Sequence, residues 1–365
     1  MKILHYTHNL GSGGAEKLLS DILPLMKEKG HEVHLAISND KLNVAKFQQK
    51  LDKVGVAIFN FKTSFYNPFQ VIRLVNLLRT QQYDIVHAHL FPTQYWLAFA
   101  SLLKPKETIL IKTEHSVFNE RKNYKILRPL EKFVYSRYRK IIGISTQVTE
   151  NLSRWLKYQN EISTIENGVN LTEIREAGQE AKLKNYPFLL SHNFNVLMVG
   201  RFDGEQKDQL SLIRALKYLP KDVHLYFAGE GPYFDTVKKE TEVLGFLNQV
   251  TFLGLRQDIY TIMNLVNLNI LSTNHEGLSG VALESLASGK PFIGADVEGV
   301  NNVVPDASYL FPKQNPVALS KKILSIKEDV ALQKKMVDKA LTHVQAFDIS
   351  KMVERYLTVY FQSIK

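Results

Sequence analysis

The chain has 365 residues, 45% of them hydrophobic and 22% charged, with a formal net charge of +10 and no cysteine. That length exceeds one comfortable hydrophobic core and predicts two domains of an ordinary soluble globular protein. Lack of cysteine excludes disulfides and thiolate metal sites and fits the cytosol; no run approaches eighteen apolar residues, which excludes a spanning helix.

The opening Met1-Lys-Ile-Leu-His-Tyr-Thr reads as a strand rather than a secretory leader. Further strands are predicted at residues 32–38, 56–61, 84–89, 108–113 and 140–145. Helices lie between them, such as 15–29, where Leu18, Leu19, Ile22, Leu23 and Met26 share one face. The charge is uneven: residues 1–180 hold 25 Lys and Arg against 17 Asp and Glu. Most of that excess lies in residues 121–140, with eight basic side chains, Glu131 as the one acid, and Tyr124, Phe133, Tyr135 and Tyr138 among them. Such a helix suits an anionic membrane surface. The competing reading is a solvated helix whose aromatics pack inward. No nucleic-acid motif accompanies it, so nucleic acid is not expected as a partner.

Residues 172–192 lose the alternation and contain Pro187, which predicts a domain junction there. The expected domains are 1–185 and 186–349, with a last helix, within 350–365, packing back on the first. The second series runs through strands at 195–199, 223–228, 250–253, 268–271 and 291–295, with helices at 207–218, 233–245, 259–266 and 279–288. Alternation of this kind predicts an α/β fold of two doubly wound, Rossmann-like parallel sheets facing a cleft.

Four motifs carry chemistry. Gly11-Ser-Gly13-Gly14-Ala-Glu16 follows the first strand and opens the first helix, the setting of a phosphate-cradling turn. It fails the dinucleotide fingerprint because Glu16 stands where a third glycine is required, which disfavours a nicotinamide enzyme despite Asp40 after the second strand. Arg201 leaves a strand and Lys207 starts a helix, so a planar fork and a mobile ammonium can converge on one anion. Glu276 precedes a helix that contains Glu284 and ends at Gly289. The two carboxylates lie about two turns apart, suited to holding two parts of a polar ligand. His87 and His89 share one strand face and His115 ends the next strand. Three imidazoles raise the question of zinc, but no carboxylate partner pattern accompanies them and no metal is expected.

Together, Glu276-x7-Glu284, Gly200-Arg201…Lys207-Asp208 and Gly13-Gly14-Ala-Glu16 resemble the signatures of the retaining glycosyltransferases of family 4, which have the GT-B fold. Supporting segments are Gly229-Glu-Gly231-Pro232, Phe252-Leu-Gly254-Leu-Arg256, Thr113-Glu114-His115 and Asn167-Gly168-Val169-Asn170. The resemblance implies a cofactor-free, metal-independent enzyme; no Asp-x-Asp of the metal-dependent alternative is present. It implies that Arg201 and Lys207 hold the diphosphate of a nucleotide-sugar, Glu276 the sugar hydroxyls and Glu284 the ribose. Gly13, Gly14 and the amides near Leu278, Ser279 and Gly280 would approach the phosphates, and Arg256 would cover the base. His115 would touch the transferred sugar, with Glu16 on the acceptor side, His89 either acceptor-side or structural, and His87 in the core. The implied reaction moves a sugar from a UDP- or GDP-sugar to a hydroxyl of a glycan or lipid-linked glycan, as in bacterial surface-polysaccharide assembly. It would be cytoplasmic, at the inner membrane face. An epimerase on the same fold and a non-catalytic sugar-nucleotide binder are the rivals.

Overall fold

The computed structural model describes residues 1–365 except 106, 117–123, 157–161, 182–185 and 365. It comprises two compact units, Met1–Gly168 with Ile349–Lys365, and Val169–Asp348.

Unit 1 alternates β1 (Lys2–Thr7), α1 (Gly14–Glu28), β2 (Glu32–Ile37), α2 (Ala45–Lys53), β3 (Ala57–Asn60), α3 (Phe69–Gln81), β4 (Ile85–His89), α4 (Thr93–Ala100), β5 (Ile109–Glu114), α5 (Arg128–Ser136), β6 (Lys140–Gly143), α6 (Thr146–Leu156) and β7 (Ser163–Thr164). The strands form one parallel sheet in the order β3-β2-β1-β4-β5-β6-β7. Alternation along β1 sends Leu4 and Tyr6 to one buried layer and Ile3 to the other. Both faces are therefore covered, and the strands read as near-continuous apolar runs.

Unit 2 repeats the scheme with α7 (Leu171–Ala181), β8 (Phe194–Val199), α8 (Gln209–Ala215), β9 (Val223–Ala228), α9 (Phe234–Val243), β10 (Val250–Gly254), α10 (Ile259–Leu265), β11 (Leu268–Leu271), α11 (Gly280–Ala287), β12 (Phe292–Ala295), α12 (Glu298–Asn301), β13 (Leu310–Phe311), α13 (Pro316–Glu328) and α14 (Val330–His343). Its sheet is also parallel, in the order β10-β9-β8-β11-β12-β13. The last helix, α15 (Ile349–Ile364), belongs to unit 1 and buries Met352, Val353, Tyr356 and Tyr360 in the layer that also holds Ile3 and α1.

In each sheet the strand order reverses beside the first strand, between β1 and β4 and between β8 and β11. Loops leaving the carboxyl ends of those strands diverge there and open a crevice. The singled-out motifs follow one of the strands at or next to these two positions, except Arg256 and its neighbours, which follow β10, and Asn167-Gly168-Val169-Asn170, which follows β7.

Three expectations need correction. The junction lies between Gly168 and Val169, not after residue 185, because α7 packs on α10. Gly178 permits this: a Cβ there would sit 2.5 Å from the Asn264 amide oxygen. Strands β7 and β13 were not expected, since two residues are too few to show an alternation. The basic segment is not one helix across 121–140: a 3₁₀ turn at Lys125–Leu127 leads into α5, and Arg121 and Lys122 lie outside the described residues. Within it Val134, Tyr135 and Tyr138 are core residues and Phe133 packs against them, so most of the aromatics face inward.

Candidate active site

The loops after β8 and β11 build one cluster. Asp203 Oδ1 accepts the amides of Glu205 (3.2 Å), Gln206 (2.9 Å) and Lys207 (3.0 Å), folding the segment into a tight turn. The turn is then stitched to β11 through the isolated bridge Lys207↔Thr273 and the bond from the Asp208 amide to Ser272 O at 3.0 Å. Asp208 also caps α8, accepting the Ser211 amide at 3.0 Å. The Lys207 stem passes over Gly200, where a Cβ would lie 3.3 Å from Cγ and Cδ.

At the end of that stem the Lys207 ammonium rests on Glu276 Oε1. Gln206 Nε2 donates to Glu276 Oε2 at 3.0 Å and the Thr273 hydroxyl to Oε1 at 3.2 Å. With side-chain exposures of 10% for Lys207 and 8% for Glu276, the pair is nearly dry, so its charges are weakly screened. The sequence reading kept Lys207 for a diphosphate and Glu276 for a sugar. Their contact joins the two, so that an anion arriving at Lys207 competes with the very carboxylate that a sugar hydroxyl would use. Arg201 is exposed, and among the described residues its guanidinium makes no ion pair. Its carbonyl is tied down by Gln209 Nε2 at 3.0 Å.

Glu276 is held from behind by Gly299. A Cβ at Gly299 would lie 2.6 Å from the Glu276 carbonyl carbon, oxygen and Cβ, a separation real Cβ atoms do not adopt. Gly299→Ala is therefore expected to displace Glu276 and lower turnover by about a hundredfold, the cost of an ångström-scale misplacement. Steady-state kinetics with a melting curve checks this; unchanged turnover would show that Glu276 has no positional role.

Ser279 caps α11 by accepting the Ala282 amide at 3.3 Å. Its own amide donates to Gly299 O at 3.0 Å, so it is not available to a phosphate as expected. Leu278 is buried, while a Cβ on Gly280 would meet nothing within 4 Å, leaving open space at the first turn of α11. Glu284 is buried, not solvated, and accepts the Tyr260 hydroxyl at 2.9 Å. Arg256 is committed elsewhere: it grips Asp258 at 2.9 and 2.7 Å and lies over the Phe188 ring, 5.5 Å from its centroid. That fork holds Asp258 below the usual carboxylate range against the opposing effect of its burial, helped by the Tyr186 hydroxyl. Covering a base would require Arg256 to leave this pairing.

In unit 1 the glycine loop carries a second acidic group. Gly13 caps α1, and a Cβ there would meet the Glu16 carboxylate at 2.3 Å, so glycine is what lets Glu16 fold back over the loop. Glu16 Oε1 pairs with His8 Nε2 at 3.3 Å. Gly14, like Gly280, opens a helix with free space around its Cα.

The histidines form a connected group. His89 is 1% exposed, which removes it from direct contact with an acceptor. Its Nε2 meets His5 Nδ1 at 2.9 Å and its Nδ1 meets His115 Nε2 at 3.1 Å. His87 bonds the Tyr360 hydroxyl at 2.6 Å and the Thr113 hydroxyl at 2.8 Å, consistent with a core role. Burial lowers His5 to about 3 and His115 to about 4, and holds His87 and His89 well below the normal imidazole range. All four are therefore neutral at pH 7. His5, His87 and His89 do bring ring nitrogens within 4.8 Å of one another. Five of those six nitrogens already make hydrogen bonds, so a metal taking one nitrogen from each ring would have to break at least two of them.

Sequence reasoning missed His5, His8, Gln206, Thr273 and Gly299. His5 had a signal: it lies on β1 in register with His87 on β4, and parallel neighbours at one register share a face.

Comparison with known families shows where the chain belongs. The family model "Glycosyltransferase Family 4" matches residues 12–173, and "Glycosyl transferases group 1" matches residues 184–343. The chain belongs to glycosyltransferase family 4. Among curated relatives of this glycosyltransferase, a Campylobacter jejuni N-acetylgalactosamine-N,N'-diacetylbacillosaminyl-diphospho-undecaprenol 4-alpha-N-acetylgalactosaminyltransferase is 26% identical, covering 95% of this chain and 96% of the relative. The N-acetyl-alpha-D-glucosaminyl L-malate synthase of Bacillus anthracis is 20% identical, covering 97% and 95%. Among solved structures, Anabaena Alr3699/HepE in complex with UDP and glucose superposes with a TM-score of 0.82 at 20% identity, covering 99% and 100% of the two chains. That likeness establishes the GT-B fold.

Proposed function

We propose that unit 2 binds a nucleotide-sugar, UDP-linked in preference to GDP-linked, and that the enzyme transfers its sugar with retained anomeric configuration to a hydroxyl of a glycan or lipid-linked glycan. The observation that carries this reading is the Lys207–Glu276 pair at the strand-order reversal of the unit 2 sheet. Lys207 and Arg201 neutralise the departing diphosphate, where negative charge grows as the sugar bond breaks. As the phosphate takes up the ammonium, Glu276 is released to bind sugar hydroxyls while Gln206 and Thr273 keep it oriented. Glu284 takes the ribose hydroxyls, braced by Tyr260. The open first turns at Gly280 and Gly14 admit phosphate oxygens, and His115 is assigned to the transferred sugar. Glu16, with His8, is assigned to the acceptor hydroxyl. Support for a lipid-linked acceptor comes from the Campylobacter relative, whose name specifies a diphospho-undecaprenol substrate.

A thermal-shift panel of UDP-, GDP- and ADP-sugars tests the nucleotide. A ligand at a hundred times its Kd stabilises the folded state by about 2.7 kcal/mol. The UDP-sugars should raise the melting temperature most; no shift with any nucleotide-sugar would contradict the reading. In the same assay Glu284→Ala should abolish most of the shift given by free UDP, whereas Glu276→Ala should retain it and lose the extra shift given by the sugar. Equal loss of both shifts in both variants would reject this division of roles.

The basic segment of unit 1 is assigned to an anionic membrane surface at the inner face of the cell membrane. Among the described residues no helix is long and apolar enough to cross a membrane. Tyr124 is 62% and Ile126 87% exposed beside Lys125, Arg128 and Lys132, so an apolar tip sits within a cationic rim. Each basic residue near such a surface contributes about 1 kcal/mol. Sedimentation with anionic vesicles should therefore fall as salt rises, and fall again when Lys125, Arg128 and Lys132 are changed to Gln. Equal sedimentation with neutral vesicles would mean the segment is only solvated.

A further inference from the structure

We infer that His5 and His89 are positioning residues that fix His115 as a hydrogen-bond donor through Nδ1–H, aimed at an acceptor oxygen of the ligand. The three imidazoles form a chain: His5 Nδ1 to His89 Nε2 at 2.9 Å, then His89 Nδ1 to His115 Nε2 at 3.1 Å. A neutral imidazole has one N–H and one lone pair, so the chain has two self-consistent states. In the outward state every N–H points toward His115: His5 Nδ1–H donates to His89, His89 Nδ1–H donates to His115 Nε2, and His115 is left with Nδ1–H. In the inward state every N–H is on Nε2, and His115 is left with a bare Nδ1 lone pair.

Two independent features select the outward state. The inner end of the chain, His5 Nε2, is buried with no hydrogen-bond partner. The inward state would place an N–H there, and an orphaned buried N–H is rarer in native proteins than an under-used acceptor. The outward state leaves only a lone pair unmet. The second feature is the field along the chain. The carboxylates of Glu16 and Glu114 act on His115 at the outer end, while Lys112, paired with Glu114 at 2.7 Å, opposes them at both His115 and His89. Negative charge at the outer end draws the N–H dipoles toward it. Among the described residues His115 Nδ1 has no protein partner, so the proton it carries is left for a ligand or water. His87 stays outside the chain with both nitrogens bonded, 4.1 Å from His89 between ring centroids, and so fills the space that would let the rings rotate.

A fixed donor recognises an oxygen without needing a proton to move first, which is the preorganised arrangement that favours a developing charge. That the oxygen belongs to the transferred sugar rests on the functional reading of His115 above. The tautomer itself does not.

Long-range ¹H–¹⁵N correlation spectra of the imidazoles in the full chain read the tautomer directly. Wild type should show the proton on Nδ1 of His5, His89 and His115; a proton on His115 Nε2 overturns the inference. His5→Phe removes the inner N–H donor, and His115 should then move toward Nε2–H, whereas His5→Asn, whose amide can replace Nδ1–H, should restore Nδ1–H. An unchanged His115 in a folded His5→Phe also overturns it. If His5→Phe does not fold, the His5→Asn spectrum still decides, since loss of the Nδ1 proton on His115 would count against the chain. Kinetics separates the second question. His5→Phe should lower kcat about tenfold with little change in KM for the nucleotide-sugar. A shifted tautomer with unchanged kcat would uphold the positioning of His115 and remove it from contact with the sugar.

Discussion

Arg201→Ala is expected to lower turnover by a hundredfold or more while leaving the melting temperature unchanged. The side chain is exposed and makes no ion pair among the described residues, so its removal leaves no buried group behind. The rate loss follows from the chemistry: one preorganised positive or N–H group at a developing oxyanion contributes about a hundred- to a thousandfold in kcat. Lys207→Ala should lose at least as much, but with a second consequence. It leaves the nearly buried Glu276 carboxylate without its cation, and breaking such a pair costs about 3 kcal/mol or more. Lys207→Ala combined with Glu276→Gln should recover the stability, since the residual charge is gone, without recovering the rate. Near wild-type turnover in Arg201→Ala, or recovered turnover in the double variant, would dismiss the diphosphate role.

Acid should unfold unit 1 selectively. His5, His87, His89 and His115 are held below an ordinary imidazole pKa near 6.5, so each binds fewer protons folded than unfolded. Their contribution is complete above about pH 6.5 and is lost as pH falls toward about 4 for His115 and about 3 for His5. Each such group costs about 1.4 kcal/mol per pH unit across that range. Glu131 works the other way: burial raises it to about 7, so its unfavourable ionisation is relieved as pH falls from 7 to about 4.5. Four imidazoles outweigh one carboxyl, and by pH 5 the net loss reaches several kcal/mol, comparable with the stability of a domain. Both tryptophans, Trp96 and Trp155, lie in unit 1, so tryptophan fluorescence during urea unfolding follows that unit alone. The midpoint should fall steeply from pH 6.5 to pH 4.5; a flat or rising midpoint would mean these imidazoles are not held neutral.

How far the sequence reveals this molecule depends on the range of the interaction. Alternating apolar runs place β1, β4, β9 and β11 within a residue of their observed ends, because burial on both faces is written into each strand. Gly-Arg…Lys-Asp and Glu-x7-Glu point to the right loops, because strand ends and helix starts are local features. What stays hidden is who meets whom. That Lys207 lands on Glu276, 69 positions away, depends on the pairing of β8 with β11. That Arg256 is taken by Asp258 depends on side-chain direction, which spacing does not give. Gly299 reads as an ordinary turn glycine until the Glu276 backbone is placed against it. The inward aromatics of α5 follow from packing on the β-sheet rather than from composition.

The most direct test is NMR of the complete reaction with a UDP-sugar and a lipid-linked glycan acceptor, following the anomeric signals of donor and product. One nucleoside diphosphate should be released for each new glycosidic bond, and the product should keep the donor's anomeric configuration. Inverted product would contradict retention. Conversion of the UDP-sugar to its epimer without acceptor would contradict transfer itself.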